Sequence, residues 1–395
     1  MRVGLIFLIL VVLAGGAFLF LRSNHSVALD RFGALTASEP KIVEEKPKNT
    51  DIENQKPLAN PPSVIKAIYA TSWSVASQSK LDYLLNLIKT TELNAIVIDI
   101  KTFDGFVAYD IQNEQVEKYG AKEIRISKIN TLIKRLHDEG VYAIARVAVF
   151  QDPALAKTRP ELAVKNALTG DTWYDNKKLA WMDPASQEVW DYNIAIAKDA
   201  AARGFDEINF DYIRFPSDGK LKEMAFSFYN ASTTLKQTVM RDFFRYLRSE
   251  MGSVIISADL FGLVTVNNDG LGIGQIIEHA YESFDYVAPM VYPSHYASGF
   301  LNYKNPAIYP YEVVKYSMEN AKSKLDKFTA ATASSTIKIG KLRPWLQDFD
   351  LGADYNAEMV AKEIQAVADS GLADGWMLWN PSNIYTKEAL KPENL

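Results

Sequence analysis

From residue 63 onward, short apolar runs rich in Val and Ile alternate with stretches whose apolar residues recur at helical spacing. The first pattern predicts strands and the second amphipathic helices. Eight strands are predicted, at 64–70, 95–100, 141–149, 207–210, 254–260, 286–291, 338–346 and 375–379, the seventh having the least distinct pattern. Helices are predicted at 78–90, 126–139, 187–202, 235–250, 311–325 and 357–370. Gly140, Gly204, Gly252 and Gly371 follow four of them, where a left-handed residue commonly ends a helix. Such alternation implies parallel strands joined by crossover helices, and eight of them favour a closed (β/α)8 TIM barrel over an open doubly wound sheet. No G-x-G-x-x-G motif follows the first strand, which removes the usual reason to expect a dinucleotide. No cofactor is expected.

The pattern ahead of the barrel is different. Arg2 precedes an uncharged, mainly apolar run over residues 3–21, closed by Arg22. A helix needs ~20 such residues to cross a bilayer, whereas a secretory signal usually has an apolar region of ~7–15. Residues 1–22 therefore read as a membrane anchor in preference to a cleaved signal, with the following domain outside the cytoplasm. If the segment is cleaved, the domain is secreted. Residues 23–62 are polar, end in Asn60-Pro61-Pro62, and read as a flexible stalk leading to a barrel domain at 63–395.

Composition narrows the chemistry. The formal net charge is −5 without a basic cluster, so nucleic acid is not an expected partner. There is no Cys, which excludes disulfides, thiolate zinc sites and cysteine nucleophiles. The four His, at 25, 137, 279 and 295, have no close His neighbour, so no metal is assigned, although a carboxylate-only cation site stays open.

A TIM barrel carries function at the C-terminal ends of its strands. Here those ends supply Asp99 and Lys101 from the second strand, Arg146 from the third, and Asp211 and Arg214 from the fourth. Asp259 follows from the fifth, Tyr292 from the sixth, Trp345 and Gln347 from the seventh, and Trp379 and Asn380 from the eighth. Alternate strand residues share a face, so Glu207, Asn209 and Asp211 point together into the barrel. Asp206 and Glu207 begin the strand and read as structural. Arg214, on the following turn, is a natural partner for Asp211. Asp259 sits on the adjacent strand, ~4.8 Å away, and the two acids can approach one glycosidic bond from opposite sides. Two alternatives are an Asp211–Arg214 ion pair of purely structural value and an Asx-turn role for Asp259. Asp99 and Lys101 form either a sugar-holding pair or an internal salt bridge. Trp181, in the long segment before the fourth strand, joins Tyr292, Trp345 and Trp379 as flat surfaces suited to sugar rings.

Several of these segments resemble the DUF4015 family of the TIM-barrel glycosidase superfamily. They include Lys66-Ala67-Ile68-Tyr69-Ala70-Thr71-Ser72-Trp73, Trp181-Met182-Asp183-Pro184, Ser257-Ala258-Asp259-Leu260-Phe261-Gly262 and Ala288-Pro289-Met290-Val291-Tyr292-Pro293. The most specific is Phe205-Asp206-Glu207-Ile208-Asn209-Phe210-Asp211-Tyr212-Ile213-Arg214-Phe215-Pro216, and the likeness spans about residues 65–384. One departure is Thr102, where the family pattern leads one to expect an acid. The resemblance implies a barrel and carbohydrate chemistry, without a substrate.

The combined expectation is a glycoside hydrolase acting on an extracellular or envelope polysaccharide, with Asp211 and Asp259 as the acid pair. Two other readings stay open: a tethered barrel that binds glycan without cleaving it, and a carbohydrate-modifying enzyme that uses a metal.

Overall fold

The computed structural model describes residues 51–392. The eight strands are β1 (Ile65–Ala70), β2 (Ala95–Lys101), β3 (Tyr142–Ala148), β4 (Glu207–Asp211), β5 (Ile256–Phe261), β6 (Tyr286–Met290), β7 in two pieces (Lys341–Leu342 and Trp345–Gln347) and β8 (Gly375–Trp379). Each pairs in parallel with the next, and β8 pairs with β1 through Ile65↔Gly375, Lys66↔Trp376, Ala67↔Met377 and Ile68↔Leu378. The sheet is a closed barrel, so no barrel strand presents a free edge.

Between strands run α1 (Gln78–Lys89), α2 (Ile129–Asp138), α3 (Gln187–Arg203), α4 (Lys236–Met251), α5 (Ile277–Tyr281), α6 (Pro310–Ala331) and α7 (Ala357–Asp369). Helix α1 shows why they form: Leu81, Leu84, Leu85 and Ile88 are buried at three- and four-residue spacing. Helix α5 has five residues, too few to reveal a period, and the sequence pattern did not predict it. Ile126, expected to open a helix, instead ends the accessory strand Lys122–Ile126, and α2 begins three residues later.

Period two divides the apolar side chains into two bodies. Ala67, Val97, Ile144, Ala288 and Met377 fill the barrel, while Ile68, Ile96, Ala145, Phe210 and Leu378 meet the helices. Polar residues on the inward register must be satisfied inside. Glu207 and Arg343 do this near the N-terminal end as a fully buried ion pair, with Ser257 Oγ also donating to Glu207 at 2.5 Å.

Residues 51–62, assigned to the stalk by composition, make specific contacts along the barrel's N-terminal end. Asp51 accepts from Asn130 N at 2.7 Å and Thr131 N at 3.1 Å, capping the start of α2. Gln55 N donates to Arg203 O, and Leu58 N donates to Asp206 Oδ1. The proposed anchor and residues 23–50 lie outside the described residues. Among the described residues no helix is long and apolar enough to cross a membrane.

Barrel closure depends on Gly375. It has φ +100°, and a Cβ there would lie 1.8 Å from the Ile65 carbonyl oxygen on the paired strand. Gly375→Ala is expected to cost about 2 kcal/mol or more through backbone strain and overpacking. Thermal unfolding measures this, and an unchanged midpoint would count against the packing described.

Candidate active site

The inward alternation of β2, β3, β4 and β5 brings four ionisable side chains together near the barrel mouth. Asp99 is register partner to Arg146, and Asn209 is register partner to both Arg146 and Ser257. Asp211 and Asp259 each follow two residues later on the same face. Arg146 lies at the centre. Its Nη1 donates to Asp99 Oδ1 at 2.5 Å, its Nη2 donates to Asp211 Oδ2, and its Nε lies 3.7 Å from Asp259 Oδ2. The guanidinium fills the position between the three carboxylates that a cation would otherwise occupy.

Each acid has further partners. Tyr69 Oη donates to Asp99 Oδ2 at 2.5 Å, and the Tyr69 ring stacks on Trp379 with centroids 3.8 Å apart. Asn209 Nδ2 and Trp345 Nε1 donate to Asp259 Oδ1 at 2.8 and 2.7 Å. Tyr212 N donates to Asp211 Oδ1 at 2.5 Å. Tyr212 adopts φ +54°, a left-handed conformation that costs a non-glycine residue energy and recurs at functional sites.

One cation faces three carboxylates, and two of them, Asp99 and Asp259, are buried almost completely. Burial pushes the Asp99 carboxyl up, against the pull of Arg146. Burial, followed by repulsion from Asp211, pushes Asp259 up to about 8. Both effects favour the neutral carboxylic acid form of Asp259.

A cavity of about 430 Å³ opens beside this cluster, at the tips of β4, β5 and β6. Asp211, Tyr212, Arg214, Phe261, Tyr292 and His295 form much of its wall. Gly262 also lines it; a Cβ there would meet the Met290 carbonyl oxygen at 2.4 Å, so glycine lets the loop after β5 lie against β6. Asp211 faces this space. Asp259 is only 1% exposed and lies beneath the wall, lower than the rim position expected for it. Around it the Tyr292 hydroxyl, Asn209 Oδ1 and Arg146 Nε are buried without a hydrogen-bond partner.

The structure thus gathers Asp99, Arg146, Asn209, Asp211, Asp259, Tyr292, Trp345 and Trp379 into one constellation. Other expected site residues lie elsewhere or act differently. Lys101 does not reach the mouth. A bulge between Asp99 and Lys101 aligns Lys101 with outward-facing Val147, and its Nζ pairs with Asp152 at 2.7 Å and donates to Ala148 O. Gln347 is fully buried, donating to Phe349 O and accepting from Ser294 N and Oγ. Asn380 donates to Asp348 O on the loop after β7 and accepts from Ser382 N in its own loop, which engages both ends of its amide. Trp181 is 1% exposed and supports Arg214 from below the surface. Arg214 forms no ion pair with Asp211, because Arg146 takes that place. Tyr69, Phe261 and Lys177 were not singled out in the sequence. Tyr69 could have been found from the inward alternation Ile65-Ala67-Tyr69, but Lys177 lies in a loop without periodicity.

Comparison with solved structures yields a hypothetical protein from Ruminiclostridium thermocellum ATCC 27405 at 39% identity, covering 49% of this chain and 96% of that one, with a TM-score of 0.45. The PgaB (BpsB) glycoside hydrolase domain from Bordetella bronchiseptica matches at 13% identity and TM-score 0.57, covering 83% of this chain and 99% of that one, a likeness of fold. The α-galactosidase TtGalA from Thermus thermophilus matches at 14% identity and TM-score 0.49, over 84% of this chain and 61% of that one. Comparison with curated proteins gives no match. The profile of DUF4015, described as a "putative glycosyl hydrolase domain", matches residues 67–385. The chain belongs to the DUF4015 family.

Proposed function

We propose that this protein is a glycoside hydrolase acting on a polysaccharide, with Asp211 and Asp259 as its carboxylate pair. One observation carries the reading: two acids from adjacent strand tips share one guanidinium, one facing a cavity and the other buried, where desolvation raises its pKa. Glycosidic cleavage needs these two states together, a proton donor for the leaving oxygen and a carboxylate to meet the anomeric carbon directly or through a water. Asp259 is assigned the proton, which passes to the glycosidic oxygen as the C–O bond breaks. Asp211, on the cavity wall, is assigned the other role. Family membership supports the same class of chemistry. The apolar run at residues 3–21 supports work at the cell envelope, with the barrel outside the cytoplasm.

The burial of Asp259 favours a second reading, a barrel that holds glycan without cleaving it. The two separate on substitution. For the hydrolase, Asp211→Asn and Asp259→Asn each lower kcat/KM on a glycan substrate by about 10²–10⁴-fold. Correctly folded variants that keep full activity would remove the assignment. Glycan retention on an array without turnover by the wild type would favour the binder.

The raised Asp259 value also makes a stability prediction. In the unfolded chain this carboxyl ionises near ~3.9, and in the folded protein near about 8. Between those values the folded state holds a proton that the unfolded state has released, so its contribution to stability falls as pH rises from about 4 to about 8. Asp259→Asn removes this contribution, and its melting temperature should gain on the wild type across that interval. Parallel melting curves for the two proteins would contradict a raised Asp259. In activity, the wild-type kcat/KM should decline as the pH passes about 8.

A further inference from the structure

Arg214 is a buried cation without a carboxylate partner at the wall of the cavity. It is 8% exposed and lies with its guanidinium carbon 4.6 Å from the ring centroids of both Trp181 and Phe261. Its Nη1 donates to Phe215 O and Ser217 Oγ, each at 3.1 Å. Its Nε and Nη2 donate to no acceptor among the described residues, although the residue lines open space. Such an arrangement is costly for the protein alone. Burying a charge without a partner is strongly unfavourable, and Arg does not relieve the cost by losing its proton. Burial accordingly pulls the Arg214 value downward.

The carboxylates nearest to it are engaged or exposed. Asp211 accepts from Arg146 and Tyr212 N. Asp175 accepts from Lys177 N and Leu179 N through one oxygen and from Trp181 Nε1 through the other. Asp218 also lines the cavity and accepts from Asn176 N, but it is exposed, so water screens its charge. On the positive side, Lys177 lines the same cavity and makes no ion pair among the described residues.

We infer that the cavity takes an anionic sugar, with the free Nε–Nη2 edge of Arg214 receiving the substrate's carboxylate. The planar fork of two N–H donors matches a carboxylate in bidentate geometry. A uronic acid residue supplies that group at the edge of a sugar ring, and Phe261 and Tyr292 provide apolar wall for the ring itself. This rests on the glycosidase reading only in placing a sugar in the cavity; the anion preference is a separate claim about affinity.

The test is calorimetric titration of the full-length protein with tetragalacturonate and tetraglucuronate, each against its carboxyl-reduced neutral counterpart, and with a sulfated neutral tetrasaccharide. The expected result is about 10- to 100-fold tighter binding of an acidic member, weakening with added salt. Arg214→Met keeps most of the packing between the two rings and should abolish the preference; Arg214→Lys keeps the charge but loses the fork, and should restore it only in part. The wild-type salt dependence needs no variant and stands even if Arg214→Met fails to fold. Equal affinity for acidic and neutral forms, no binding of any acidic form, or tighter binding of the sulfated sugar than of either uronate would overturn the inference. Tight binding of a uronate without cleavage would overturn the hydrolase instead and leave the anion preference intact.

Discussion

A closed barrel packs its interior with side chains, so a charge that one strand sends inward needs a partner there. This constraint organises the interior of this protein at two levels. At the N-terminal end Glu207 and Arg343 balance one for one, with Ser257 and Tyr142 around them. Near the mouth the balance is three to one: Asp99, Asp211 and Asp259 converge on Arg146. In the first arrangement the charges cancel, although Arg343 Nε is buried without a hydrogen-bond partner. The second carries surplus negative charge, which adds to burial in raising the Asp259 value. The raised Asp259 value thus follows first from its burial and then from the Asp211 charge beside it.

The mouth is asymmetric for a related reason. On the β1–β8 side Tyr69, Trp379 and Trp345 pack against one another and against Arg146, closing that half with aromatic surface. On the β4–β6 side the chain turns sharply at Tyr212, whose left-handed conformation brings its own N–H onto Asp211. The same turn carries Arg214 away from Asp211 and between Trp181 and Phe261. An open cavity remains where the strands diverge, with a carboxylate on one wall and an unpaired guanidinium on another.

The barrel was legible because its two periods differ and its strands are buried on both faces. Ala95–Lys101 and Tyr142–Ala148 are buried throughout, which produces the continuous apolar runs that marked them. The inward set Glu207, Asn209 and Asp211 followed from alternation alone, and the structure keeps it. What alternation could not reveal was its own interruption. One bulge after Asp99 moved Lys101 to the outer face, where Asp152 was waiting. Nor could proximity in sequence identify ion-pair partners: Arg214 is three residues from Asp211, yet Arg146 reaches it from the adjacent strand. The contacts of residues 51–62 escaped composition because they are made largely by backbone groups and one Asp, which carry no apolar signal.

The unlike charges at the mouth therefore have a geometric cause. The strand register places the surplus negative charge inside the barrel, and the turn at Tyr212 places surplus positive charge on the outer wall. A mobile counter-ion or a flexible loop could cancel either at the surface, but both Arg146 and Arg214 are buried and held by rings or carboxylates. Charges fixed in this way neutralise each other poorly and meet an arriving molecule already oriented. Arg214 and Asp211 present these unlike charges to one cavity. The separation of Asp211 from its near neighbour in sequence is, on this view, what leaves one cation free for the ligand.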